Sequence, residues 1–193
     1  EATDDDGSCT YEGCYGCIYE SAMNYDGDAS FDDGSCIFIP SLTIQEIHSG
    51  NFAGSVVTSG IVTGVYPNNS ALAGQPSYAI QNGTGAFSAI WVIGSGVAVG
   101  DQVEVAGNVS EVYGLRQILS AVPTVQSSGN ALPAAEVLAP SAINDEQWES
   151  VLVQMTGEMA SLNATYGEWL LSDGVGTGMA AALGYNAIND SVD

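Results

Sequence analysis

Lysine is absent from this chain. Arginine and histidine occur once each, at Arg116 and His48, against 23 aspartates and glutamates in 193 residues. The formal net charge is −22. Nucleic-acid binding rests on Lys and Arg displacing counter-ions from phosphates. One arginine cannot do that, so nucleic acid is excluded as a direct partner. An anionic membrane surface is disfavoured on the same ground. No apolar run reaches the roughly 20 residues that span a bilayer, so no membrane insertion is expected. No signal-peptide pattern stands at the N-terminus, where Glu1 opens an acidic stretch. A secreted chain would have lost its signal, so secretion stays open.

Catalytic signals are also scarce. The lone His48 has no Ser- or Cys-centred motif beside it, which makes it a structural or surface histidine. "GSG" at Gly94–Gly96 is a turn, not a nucleophile elbow. "GTGAF" and "GVGTG" are glycine-rich but lack the lysine of a phosphate loop, so they read as hairpins. The chain is expected to be no enzyme. Arg116 is expected to neutralise a neighbouring carboxylate, Glu104 or Glu111.

What is present points to a folded, β-rich, extracellular protein. Hydrophobic residues make up 46% and charged residues 12%, unlike a disordered acidic tail. The 24 glycines imply many turns. Cations are the natural partners of such a charge, Ca²⁺ first outside the cell. The four cysteines, Cys9, Cys14, Cys17 and Cys36, all precede residue 40. Cys14-x-x-Cys17 has a zinc-like spacing, but the surrounding aspartates oppose thiolate formation. Disulfides, and with them an oxidising compartment, are the better reading.

A break falls near Pro40. Residues 1–39 read as a small disulfide-stapled acidic module. Residues 41–135 read as a β domain and 136–193 as a second, partial one. "DDGSC" stands at Asp5–Cys9 and returns 27 residues later at Asp32–Cys36. The sequence opens inside a repeat, so it reads as a processed subunit or a piece of something longer.

Between the two copies lies "NYDGDASFDDGSC". Asn24, Asp26, Asp28, Asp32 and Asp33 occupy near-alternating positions, as oxygen ligands do in a Ca²⁺ loop that supplies about six to eight oxygens. Ala29 replaces the glycine and Ser35 the closing glutamate of an EF-hand, so a looser site is expected, with affinity on the order of 10⁻⁴–10⁻³ M. The competing reading is a solvated loop of Asx-turns. Asp4, Asp5 and Asp6 form a second acidic run, a weaker candidate for the same ion.

"GCIYESAMNYDGDASFDDGSC" resembles the short repeats strung along large secreted bacterial surface proteins. The resemblance implies that Cys17 pairs with Cys36, and Cys9 with Cys14. Tyr19 stands where that pattern has Asp.

Downstream, alternation marks strands at Ser55–Tyr66, Ser77–Gly83, Ser88–Gly94, Gly100–Gly114 and Leu115–Val125. Pro140–Ser150 is the best helix candidate, with Asn144 or Asp145 as cap. This order resembles the OB-fold modules that accompany secreted bacterial nucleases and surface proteins. Such modules open with a "T-I-x-E-I" strand, here Thr43–Ile47. "SVLVQMTGEM…" parallels "SVVTSGIVTG…" and begins the partial copy, whose later strands are missing. Their absence would leave strand edges near Val151–Thr156 and Glu168–Ser172 open. Either further chain or a neighbouring subunit would complete them.

These signs point to a structural segment of a surface adhesin, or a subunit of a filament of self-associated copies, stabilised by disulfides and Ca²⁺. The alternatives are an accessory OB domain of a secreted hydrolase and a carbohydrate-binding module. Trp91, Trp148, Trp169, Tyr78, Tyr113 and Tyr166 would serve the latter, with glycans as partners.

Overall fold

The computed structural model describes residues 14–50, 52–69, 75–112, 114–163 and 168–181. The chain divides into two units, Glu1–Ser41 and Leu42–Asp193.

The described part of the first unit carries little regular structure. Strands β1 (Tyr15–Gly16) and β2 (Phe31–Asp32) pair in parallel, with the Tyr15 and Phe31 rings 5.7 Å apart. Among the described residues only Cys17 and Ala22 are buried hydrophobics. So small a core cannot stabilise a fold by burial. The Cys17–Cys36 disulfide does so instead, closing a span of 19 residues, for about 3 kcal/mol. Cys14 is exposed; its expected partner Cys9 lies outside the described residues.

The second unit opens with helix α1 (Ile44–Ser49). This corrects the strand expected at Thr43–Ile47. Thr43-x-x-Glu46 is a capping box: the Glu46 N–H donates to Thr43 Oγ1 at 3.2 Å, and the Thr43 N–H donates to Glu46 Oε2 at 2.7 Å. Ile44 and Ile47, three apart on one helix face, are both fully buried.

Five strands follow: β3 (Gly54–Asn69), β4 (Gln75–Gln81), β5 (Ala89–Ile93), β6 (Gln102–Val112) and β7 (Leu115–Ser127). They close a barrel in the order β3-β4-β5-β7-β6, with β6 returning to β3. Only the β5–β7 contact is parallel within it. That order is the five-stranded Greek-key OB barrel. Val56, Val62, Tyr78, Ile80, Ile90, Val92, Val103, Val105 and Ile118 fill the interior, joined by Ile44 and Ile47 of α1. Each of the valine and isoleucine side chains contributes about 1.5–3 kcal/mol on burial. Where β6 shifts register against β7, Gly107 is required: a Cβ there would sit 2.5 Å from Ile118 Cγ2 and 2.7 Å from the Leu119 carbonyl oxygen.

After the barrel, β8 (Glu136–Leu138) runs parallel to β9 (Val153–Met155). Between them the expected helix at Pro140–Ser150 is two short 3-10 turns, Pro140–Ala142 and Glu146–Trp148. Asp145 does precede the second turn, but its side chain makes no cap bond. Strands β10 (Glu158–Asn163), β11 (Glu168–Ser172) and β12 (Thr177–Ala181) form an antiparallel three-stranded sheet.

That sheet repeats the register of β3-β4-β5. Ile61↔Gln81, Val62↔Ile80, Gly64↔Ala79, Val65↔Tyr78 and Tyr66↔Ser77 answer to Glu158↔Ser172, Met159↔Leu171, Ser161↔Leu170, Leu162↔Trp169 and Asn163↔Glu168. The one-residue bulge falls at the same place in both, at Thr63 and at Ala160. The next hairpin matches too, Gln81↔Ala89 through Ser77↔Ile93 answering to Ser172↔Thr177 through Glu168↔Ala181.

Candidate functional site

In the acidic loop, Asn24, Asp26, Asp28, Asp32 and Asp33 are all exposed. The side-chain oxygens of Asn24, Asp26, Asp32 and Asp33 accept from the loop's own backbone. Asp26 Oδ1 accepts from the Asp28 N–H, Asp32 Oδ1 from the Gly34 N–H, and Asp33 Oδ1 from the Ser35 N–H. These are Asx-turns, each bridging two residues. Asn24 spans the loop: its Oδ1 accepts from the Ile37 N–H at 2.7 Å and its Nδ2 donates to the Ser35 carbonyl at 2.8 Å. Hydrogen bonds from Ser35, side chain first, hold the Asp33 carboxyl below its usual range. Among the described residues, no three His, Cys, Asp or Glu side chains gather closely enough to hold a metal ion. The geometry is that of the Asx-turn reading. Asp4, Asp5 and Asp6 lie outside the described residues.

His48 closes α1. Its Nε2 lies 2.9 Å from the Ala89 carbonyl oxygen. A carbonyl only accepts, so Nε2 carries the proton. The ring packs 5.3 Å from that of Phe87. Burial, ahead of the other influences, pushes the His48 pKa down.

Arg116 meets one of its two expected carboxylates, Glu111, at 3.2 Å. Its larger role was invisible in the sequence: Nη1 donates to the carbonyls of Ile47 and His48, both at 3.0 Å. The chain's single arginine thus caps the C-terminal end of α1. Its own N–H donates to Glu149 Oε2 at 3.3 Å. Burial raises the Glu149 pKa more than that bond lowers it.

Glu149 belongs to a seam between the barrel and the segment C-terminal to it. The tip of the β4–β5 hairpin receives residues 136–152. The Gly85 N–H donates to Glu136 Oε1 at 2.7 Å, and the Phe87 N–H to the Gln147 carbonyl at 2.8 Å. The Leu152 N–H donates to Gln81 Oε1 at 2.8 Å, while Gln81 Nε2 donates to the Gly83 carbonyl at 2.9 Å. Gln81 is fully buried; in the sequence it was merely the polar end of a strand. Two non-glycine residues with positive φ, Phe87 at 57° and Ser150 at 63°, sit at this seam. Such backbone persists where its surroundings over-determine it.

The aromatic set is spread out. Tyr78 faces the barrel interior, its hydroxyl buried without a partner among the described residues, and burial pushes its pKa up to about 12. Trp91 is on the opposite face and stacks on Tyr66 at 4.8 Å. Trp91 Nε1 and Gln117 Oε1, on register neighbours across β5 and β7, are buried and likewise unpartnered. Trp148 lies in a 3-10 turn. Tyr113, Tyr166 and the Trp169 side chain lie outside the described part of the structure.

No protein-family model matches the chain. No curated protein matches it. Among solved structures, it is similar to the OB domain of Ta0387 from Thermoplasma acidophilum, determined by solution NMR, at 15% identity and a TM-score of 0.34, over 49% of this chain and 94% of that one. The OB assignment stands on the strand order of the barrel.

Proposed function

We propose that this chain is a non-catalytic structural protein of the bacterial cell surface, a segment of an adhesin or the subunit of an extracellular filament. The observation that carries this reading is the seam. Two successive β modules are joined by a linker tied to the first at Gln81, Gly85, Phe87 and Arg116. A linker meant to let modules swing would be polar and free of such bonds. The Cys17–Cys36 disulfide suits an oxidising, extracellular setting. Among the described residues no helix is long and apolar enough to cross a membrane.

Ca²⁺ belongs to this proposal through the net charge of −22 more than through a formed cage. Divalent ions would screen the mutual repulsion of neighbouring copies. The weaker reading is an accessory binding domain using the barrel's outer face. Against it, Tyr66 and Trp91 stack on each other and so present no open platform.

The test is negative-stain microscopy of the native protein across a Ca²⁺ titration, beside NMR relaxation on the 193-residue chain. The proposal expects filaments or strings, and one shared tumbling time for the barrel and the β10–β12 sheet. Uniform monomers at every Ca²⁺ concentration, with the two sheets tumbling independently, would reject it.

A further inference from the structure

We infer that the β10-β11-β12 sheet is an acceptor for a two-stranded antiparallel β-ribbon of the β6–β7 kind, supplied by a polypeptide segment outside these 193 residues. The acceptor role extends the structural reading above, but it stands on the correspondence of the two modules and not on that reading.

The correspondence between the sheets extends beyond the paired positions already given. In the barrel, the Leu42 N–H donates to the Val57 carbonyl at 2.9 Å, placing the entering chain along one edge of β3. In the second module, the Glu136 N–H donates to the Leu152 carbonyl at 3.0 Å. Ser55-Val56-Val57 and Ser150-Val151-Leu152 match in sequence, and Val56 and Val151 are both buried. The entering chain therefore lies along the same edge in both modules. From Val57 to Ile61 is four steps and from Leu152 to Glu158 six. Both counts are even, as a period of two requires for the same side to recur, although Thr156 and Gly157 lie between β9 and β10 and belong to neither strand.

In the barrel the other edge of β3, Gly54–Ile61, is covered by β6 in antiparallel fashion. The outer edge of β5 is covered by β7 in parallel at Trp91↔Gln117 and Val92↔Ile118. Their counterparts are the Val151–Glu158 stretch and the β12 positions Met179 and Ala180. Among the described residues, β9 pairs only with β8, and β12 only with β11. Met159 is 61% exposed, although Val62, its counterpart, is fully buried in the barrel.

The geometry selects a ribbon over other occupants. One edge calls for an antiparallel strand and the other for a parallel one. The two arms of a single hairpin run in opposite directions, so one ribbon satisfies both. The β12 strand of a second copy, laid edge to edge, would cover one edge and leave the other. This chain's own β6–β7 ribbon is engaged in the first barrel, as it would be in any second copy. The fitting partner alternates valine with polar residues, as Val103, Val105 and Val109 do on β6. Main-chain bonds give such strand addition its affinity, and side chains seated on alternate positions give it specificity.

The experiment is amide hydrogen exchange on the isotope-labelled 193-residue chain, with an unlabelled peptide of sequence Asp101–Ser127 added in trans. The expected result is slowing of about tenfold or more at Val153–Met155 and Thr177–Ala181, saturating with peptide. A V103K/V105K peptide should give none of it. Three results would overturn the inference. The first is no slowing at saturating peptide. The second is protection of both edges without peptide, whether constant or rising with protein concentration, which would mean that these residues or a second copy already cover them. The third is a change confined to Gly54–Ile61, which would mean that the peptide only displaces β6.

Discussion

At the scale of single residues, the scarcity of positive charge decides what Arg116 does. A chain with 23 acids has one guanidinium, and it lies largely buried against the end of α1. Two helix carbonyls and two glutamates converge on this residue. Arg116→Met keeps the stem and removes the donors. It leaves the Ile47 and His48 carbonyls without the cap and Glu111 without its partner. Loss of charge-assisted bonds of this kind costs about 2–3 kcal/mol, readable in urea denaturation. Arg116→Lys should rescue less than half, because an ammonium lacks the fork that reaches two carbonyls and a carboxylate together. A lysine variant as stable as the parent would refute this role. The neighbouring His48 gives a pH signature. Its folded pKa lies below the ordinary 6.5, so the unfolded chain binds the proton more readily. Its contribution is present above pH 6.5 and is lost as pH falls through 6.5 towards the folded value. Glu149 acts in the opposite sense: its folded pKa lies above 4.5, so its contribution is present at low pH and is lost as pH rises through 4.5. Unfolding free energies measured from pH 4 to 8 should show the acid-side decline setting in below pH 6.5, and His48→Gln should flatten it. The same slope in the variant would assign the decline to other groups.

At the scale of elements, the period-two signal made the barrel legible. All five barrel strands fall on the stretches the sequence marked, because one face of each lines a common core; β4 is buried on both faces, from Ser77 to Gln81. The errors have separate causes. The strand at Thr43–Ile47 rested on the resemblance to OB-fold modules, but its two isoleucines stand three apart, a helical interval, and Thr43 with Glu46 forms a cap that a strand cannot use. Pro140–Ser150 had the composition of a helix start, yet its chain is drawn into the seam before a full turn can propagate. Gln81 was unreadable in kind: a buried amide is indistinguishable from a surface one until Leu152 arrives from 71 residues away. The capping box gives the element-scale prediction. Thr43→Val removes the acceptor for the Glu46 N–H and should cost about 1 kcal/mol. Amide exchange should rise first in Ile44–Ser49 and leave β6 and β7 unchanged. Exchange rising equally throughout would mean that α1 and the barrel open as one body.

At the scale of the molecule, charge and covalent closure act on different parts. The acidic loop raised the question of whether its carboxylates hold a cation or hold the backbone, and one substitution type separates the two. An Asx-turn needs an acceptor oxygen two residues before an N–H, which Asn supplies as well as Asp. A Ca²⁺ site needs the charge. The triple variant Asp26→Asn, Asp32→Asn, Asp33→Asn keeps each acceptor and removes three charges. With the loop closed by Cys17–Cys36 and its oxygens bonded to Asp28, Gly34 and Ser35, the variant should fold unchanged and gain stability, since −22 is far from the charge a compact chain prefers. In the parent, Ca²⁺ and Mg²⁺ at equal ionic strength should raise the melting temperature alike, because screening depends on ionic strength and not on coordination geometry. In the variant both increments should shrink together. A Ca²⁺ increment that exceeds that of Mg²⁺ in the parent and vanishes in the variant would locate a specific ion among these side chains, and the Asx-turns would then be the arrangement the loop holds without it.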